Sequence, residues 1–192
     1  MAVVTESIGL AEHRPFTVHD LEAMPDDGWR YELIDGVLLV TPAPGWPHQE
    51  MSIALLVLLR MACPPDLRVL AGPFGVRTSV TNEVQPDVLV ARYTDLTEDS
   101  LPVAPVLAVE TLSRSTKLKD RTLKKAHYER IGVRSYWILD PSDPGGLEVY
   151  ELDENGKYAL VASVSGDDVL PVRSPFPVEV SPARLLDGLR PR

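Results

Sequence analysis

Residues 106–112 read Val-Leu-Ala-Val-Glu-Thr-Leu, an apolar run interrupted by a single acid. A strand apolar on both faces cannot sit at a solvated edge. It needs cover above and below, so it predicts the central strand of a sheet. Glu110 adds a second constraint. Period-two alternation puts it on the face shared with Ala108 and Leu112, near the strand end. A carboxylate there is costly to desolvate unless something compensates it. A second isolated acid, Asp87, follows Pro86 and precedes the apolar run 88–91. Pro86 restricts that position to an edge, a strand start or a bulge.

The rest of the chain organises around these runs. Thr17 with Asp20 three residues on marks the start of a short helix, ended by Pro25-Asp-Asp-Gly28. Asp35-Gly36 between the apolar runs 30–34 and 37–41 is a hairpin signal. A proline loop follows, then a helix over 48–62. Its apolar residues nearly encircle it, which predicts burial. Alternation over 74–80 reads as a half-exposed strand, and Thr81-Asn82 turns the chain into a strand over 84–91. Residues 92–105 read as a polar loop. A helix is expected over 116–131, with Ser115 or Thr116 as cap and Gly132 as stop. Strand 135–140 and a hairpin of 147–151 with 158–164 follow, then a proline-rich, edge-like tail from Asp167. Strands first, then a long helix, then more strand, predicts an α/β (α+β) fold: a mixed sheet flanked by helices, with additional hairpins.

At 192 residues the chain is most simply one domain, 1–192, with 1–14 as a loose N-terminal arm. One cysteine, Cys63, permits neither an internal disulfide nor a cysteine metal cluster. No leader or bilayer-length apolar run is apparent, so a cytoplasmic protein without a membrane role is expected. The net charge of −9 argues against a protein that coats nucleic acid over its whole surface. That average conceals an asymmetry. Residues 113–134 hold eight basic and two acidic side chains, a net +6, which leaves −15 elsewhere. Such a segment is either a solvated helix face or a patch that steers a polyanion to one place.

Two carboxylates on neighbouring strands repel unless protonated or bridged by a cation. Oxygen ligands favour Mg²⁺ or Mn²⁺ over Zn²⁺. Four of the five lysines, Lys117, Lys119, Lys124 and Lys125, follow at once. Asp120, Lys124 and Tyr128 stand at i, i+4 and i+8, with Ile131 on much the same side, so Lys124 lies on a core-facing stripe. A lysine there requires a carboxylate or phosphate partner. The plainer alternative is a helical Asp120–Lys124 pair.

The string Gln85-Pro-Asp-Val88, Val109-Glu-Thr-Leu-Ser-Arg-Ser-Thr116, Asp120-Arg-Thr-Leu-Lys124, Tyr128 and Tyr136-Trp-Ile-Leu-Asp140, with Tyr31-Glu-Leu-Ile-Asp-Gly36 upstream, resembles the bacterial Uma-two family. The resemblance covers roughly residues 15–190. It implies a restriction-endonuclease-like core of the PD-(D/E)XK nuclease superfamily, and cleavage of nucleic acid: double-stranded DNA is the expected substrate and RNA the alternative. In that pattern Asp87 and Glu110 are the metal-binding acids, and the Thr111 carbonyl is a further Mg²⁺ (or Mn²⁺) ligand. The lysine of the motif stands at position 112, where this chain has Leu112; the resemblance moves that role to Lys124. Glu32 is a further acid of the site, or a hairpin residue pairing with Arg30. Tyr128 bonds a carboxylate or phosphate, or packs in the core. His48 reads as a cap partner at a helix start. Arg114, Lys117, Lys119 and Arg121 are the expected nucleic-acid contacts, and a homodimer is the expected assembly. The alternative is a nuclease-derived fold that no longer cuts and serves as a nucleic-acid-binding or protein-interaction module. Leu112 favours that alternative.

Overall fold

A computed structural model describes residues 14–187; most of the expected N-terminal arm, with His13, lies outside them. The described chain opens with a short helix α1 (Val18–Glu22), a hairpin of β1 (Trp29–Ile34) and β2 (Val37–Pro42), and the long helix α2 (Trp46–Ala62). Five strands follow: β3 (Leu67–Ala71), β4 (Gly75–Ser79), β5 (Asn82–Val84), β6 (Val88–Arg92) and β7 (Ser100–Leu101). The central strand β8 (Leu107–Thr111) leads into α3 (Lys117–Lys119), a π turn (Asp120–Lys124) and α4 (Lys125–Ile131), which run on as one helix. Strands β9 (Ser135–Asp140), β10 (Gly146–Leu152), β11 (Tyr158–Ser165), β12 (Leu170–Val172) and β13 (Val178–Val180) and the helix α5 (Pro182–Leu185) complete it.

The main sheet has six strands in the order β11-β10-β9-β8-β6-β3. All its pairings are antiparallel except β8 with β9, which the α3–α4 helix joins as a parallel crossover. The strand over 106–112 is therefore interior, as its two apolar faces require. On one face Met51, Leu55 and Leu59 of α2 pack on Val88, Val90, Leu107, Val109, Trp137 and Leu139. On the other face Leu89, Ala108, Leu112, Tyr136 and Ile138 meet Tyr128 of α4 and residues of a second sheet, ordered β2-β1-β5-β4-β7. Glu110 lies on this second face by alternation with Ala108 and Leu112. The mixed α+β, sheet-and-helix architecture is the expected one.

Four local differences from the sequence expectations have physical causes. The run over 84–91 is two strands in two sheets, because Pro86 has no N–H to donate and the chain changes sheets at 85–87. The sequence expectations contain no strand at β3: Arg68 interrupts its apolar run, and pairing with β6 stabilises it. Residues 92–105 contain a 3₁₀ turn (Tyr93–Asp95) and the short strand β7. The tail from Asp167 is more than an edge: Val172, Phe176, Val180, Leu185 and Leu186 join the core under α2. Gly132 stops α4 at φ 84°, as expected of a left-handed cap.

Candidate active site

The site forms where the two sheets and the α3–α4 helix meet. In β1, residues two apart share a face, and Arg30 and Glu32 both reach inward from it. Asp87 sits just before β6, where Val88 pairs with Val109; its N–H donates to the Val109 carbonyl at 3.0 Å. That register sets Asp87 opposite Glu110. Gly72 makes the arrangement possible. A Cβ there would lie 2.7 Å from the Pro86 carbonyl oxygen, and the Gly72 N–H donates to the Asp87 carbonyl at 2.9 Å.

Lys124 Nζ lies 3.0 Å from Glu110 Oε1 and 2.9 Å from Glu32 Oε1. Tyr128 donates its hydroxyl proton to Glu110 Oε1 at 2.7 Å. The Gln85 N–H donates to Glu32 Oε1 at 2.7 Å, so the 85–87 segment is tied to β1. Asp87 Oδ2 accepts the Thr111 N–H at 2.8 Å and lies 2.9 Å from His48 Nε2. Arg30 Nη1 lies 3.0 Å from Asp87 Oδ1 and donates to the Gln85 carbonyl at 3.0 Å. Thr111 Oγ1 shares a hydrogen bond with Ser52 of α2 at 2.8 Å. Glu32, Asp87, Glu110, Asp120 and Lys124 are all buried.

Four buried carboxylates thus face two fixed cations, Arg30 and Lys124. Burial lowers the pKa of Lys124, but Glu110, Glu32, Asp120 and Asp87 outweigh it and hold the ammonium charged. Burial pushes Asp87 up, yet the His48 bond and the charges of His48, Arg30 and Lys124 bring it down to about 2. Glu110 goes the other way. Burial raises it well above the usual carboxylate range; Lys124 opposes that, and the charges of Asp87, Asp120 and Glu32 add to it. Asp120, whose Oδ1 is buried without a partner, is pushed up to about 6 mainly by burial. The cluster is short of positive charge.

That shortfall and the all-oxygen donor set suit a hard divalent cation. Among the described residues, no three His, Cys, Asp or Glu side chains are arranged as a metal cage. Arg30 and Lys124 are the cations that pair with these acids. A cleft of about 740 Å³ opens between α1, β1 and α2 and is lined by Trp29, Tyr31, Arg30, His48 and Asp87 among others. Glu110, Lys124 and Tyr128 do not line it.

Asp87, Glu110, Lys124, Glu32, Tyr128 and Thr111 are therefore gathered in one place. The four basic residues are not part of that cluster. Arg121 is committed to Glu148 by a two-pronged bond at 2.6 and 2.7 Å. Lys117 lies 3.5 Å from Asp140, and Lys119 Nζ donates to the Val40 carbonyl at 3.5 Å. Arg114 is exposed. None of the four lines the cleft. Lys124 has Glu110 and Glu32, not Asp120, as its ion-pair partners among the described residues. Two site residues escaped the sequence reading. Arg30 was legible through its i, i+2 relation to Glu32. His48 was not, because its contact with Asp87 depends on how α2 packs against β6. Tyr136 and Trp137 are core residues, fully buried.

The sequence profile of the family named Uma2, described as "Putative restriction endonuclease", matches residues 18–187. Among solved structures, the crystal structure of "a putative nuclease belonging to DUF820" from Anabaena variabilis ATCC 29413 superposes with a TM-score of 0.66. It is 18% identical, and the match covers 83% of this chain and 90% of that one. The likeness shows the fold, which is restriction-endonuclease-like. No curated protein matches.

Proposed function

The chain belongs to the Uma2 family, and from that premise we propose that it is a Mg²⁺- or Mn²⁺-dependent endonuclease that hydrolyses phosphodiester bonds of nucleic acid, double-stranded DNA foremost. The observation that carries this reading is the meeting of Lys124 with Glu110 and Glu32 on the sheet face that Asp87 shares. Asp87 and Glu110, with the Thr111 carbonyl, would hold the ion. A divalent cation there supplies Lewis-acid polarisation of the scissile phosphate and lowers the pKa of water. Lys124 offsets the buried charge of Glu110 and Glu32 and keeps the Glu110 carboxylate in position. Tyr128 fixes the Glu110 carboxylate by its hydrogen bond. His48 and the Thr111 N–H fix Asp87. Arg114, Lys117, Lys119 and Arg121 contact the nucleic-acid backbone away from the cleft. A homodimer, which the resemblance implies, would present two such sites for two strands.

Leu112, which fills an apolar position where the superfamily motif has lysine, supports the second reading, a fold that binds without cutting. Supercoiled plasmid and a matched RNA, incubated with Mg²⁺ or Mn²⁺, separate the two. The endonuclease reading expects metal-dependent nicking that Asp87→Ala and Lys124→Ala both abolish. Binding without cleavage in either metal supports the module. Cleavage indifferent to both substitutions refutes the site.

A further inference from the structure

Of the two cations in the acid cluster, Lys124 is enclosed, with Nζ between Glu32 and Glu110, and does not reach the cleft. Arg30 differs. Its side chain is 18% exposed and lines the cleft, and only Nη1 is engaged, by Asp87 Oδ1 and the Gln85 carbonyl. Among the described residues its Nη2 and Nε carry no hydrogen bond. Burial opposes the guanidinium charge, and Asp87, Glu32 and Glu110 together outweigh that penalty. The same three acids would attract a metal ion.

We infer that Arg30 is a built-in counter-ion of the acid cluster: its guanidinium holds Asp87 Oδ1, and a divalent cation that takes that oxygen must displace it. The inference rests on the metal-site reading above and adds a residue to it. Three observations support it. The cluster has more carboxylates than cations, so each positive group it has is needed to offset them. Asp87 Oδ1 is engaged by Arg30, whereas Oδ2 is engaged by His48 and the Thr111 N–H. Arg30 also stands on the cleft side, where an ion would enter and where a released guanidinium has room to go. Competition of this kind is a coupling free energy: removing the competitor tightens the ion, and the ion loosens the competitor.

Calorimetric titration of Mn²⁺ into wild type and Arg30→Gln reads the competition without reference to cleavage, with circular dichroism as the check on folding. Loss of one positive charge beside a divalent ion should lower the Mn²⁺ dissociation constant by ~10-fold or more. Metal-free Arg30→Gln should also melt lower than wild type and recover more on Mn²⁺ addition. Binding by Arg30→Gln alone also supports the displacement. Equal or weaker Mn²⁺ binding in Arg30→Gln, with wild type binding normally, overturns the counter-ion role and leaves the metal site intact. No Mn²⁺ binding by either protein refutes both the metal site and this inference. Should Arg30→Gln not fold, Arg30→Lys takes its place. It keeps the charge but loses the planar fork and the reach, so it should shift the constant in the same direction by less; no shift then overturns the role.

Discussion

The ammonium of Lys124 lies 3.0 Å from Oε1 of Glu110, although the two stand fourteen positions apart in the chain with a helix start between them. The same Oε1 accepts the Tyr128 hydroxyl at 2.7 Å. Both bonds come from one helix packed on the sheet face to which alternation assigns Glu110. Stability and the proposed chemistry would therefore depend on the same contacts.

Removing the ammonium leaves Glu32 and Glu110 buried without their counter-ion. Lys124→Gln should therefore cost about 3–5 kcal/mol in urea unfolding. Adding Glu110→Gln to it should restore part of that loss, because the unpaired acids fall from two to one. Strict additivity of the two substitutions would contradict the coupling.

Gly72 determines where Asp87 lies. A methyl there meets the Pro86 carbonyl at 2.7 Å, a backbone atom that yields only if 85–87 moves. Gly72→Ala should destabilise by about 1–3 kcal/mol. It should also weaken Mn²⁺ binding although no ligand has changed. Wild-type Mn²⁺ affinity in a destabilised Gly72→Ala would show that the segment relaxes without displacing Asp87.

Much of this was legible in the sequence, for definite reasons. Strand 106–112 announced its central place because an interior strand has no polar face. Glu110 was identifiable because it breaks an otherwise apolar strand, and Lys124 because it shares a core-facing stripe with Tyr128 and Ile131. What was illegible depends on long-range packing. The switch of sheets at Pro86 requires two sheets to be known. The partners of Lys124 lie on other elements, so spacing alone leaves the helical pair with Asp120 as the plainer alternative. The engagement of Arg121 with Glu148 is set by β10, which no local charge count reveals. The π turn over Asp120–Lys124 carries no signature in residue type.

Asp120 and His127 are buried in the same helical stretch and shift oppositely. Burial pushes Asp120 up to about 6, and burial with Arg130 pulls His127 down to about 4. Between pH 4 and 6 the folded protein holds a proton on Asp120 and none on His127, whereas the unfolded chain holds the reverse. Their contributions to the pH slope cancel. The Asp120 contribution is present below about pH 4 and lost as pH rises to 6. The His127 contribution is present above about pH 6.5 and lost as pH falls to 4. His127→Gln should therefore lose stability relative to wild type as pH rises over this window, by ~1.4 kcal/mol per unit at most. Asp120→Asn should gain it. Chemical denaturation at several pH values reads both slopes, and parallel curves for all three proteins would contradict the assignment.

The basic residues should contribute unequally to nucleic-acid affinity. Arg114→Ala should reduce the slope of log K against log salt by about 0.9. Arg121→Ala should change it less, because Glu148 already neutralises that guanidinium. Filter binding of a short duplex across 50–200 mM salt measures this. A larger loss at Arg121 would show that the ion pair opens on binding.

The central claim is that Asp87, Glu110 and Lys124 form one metal-dependent hydrolytic site. Its most direct test is the single-turnover rate of duplex cleavage in Mn²⁺ by wild type, Glu110→Gln and Lys124→Gln, each first verified as folded. The account predicts cleavage by wild type that vanishes with a chelator, and a loss of about 10²-fold or more in each variant. A folded Glu110→Gln that cleaves at the wild-type rate would contradict it.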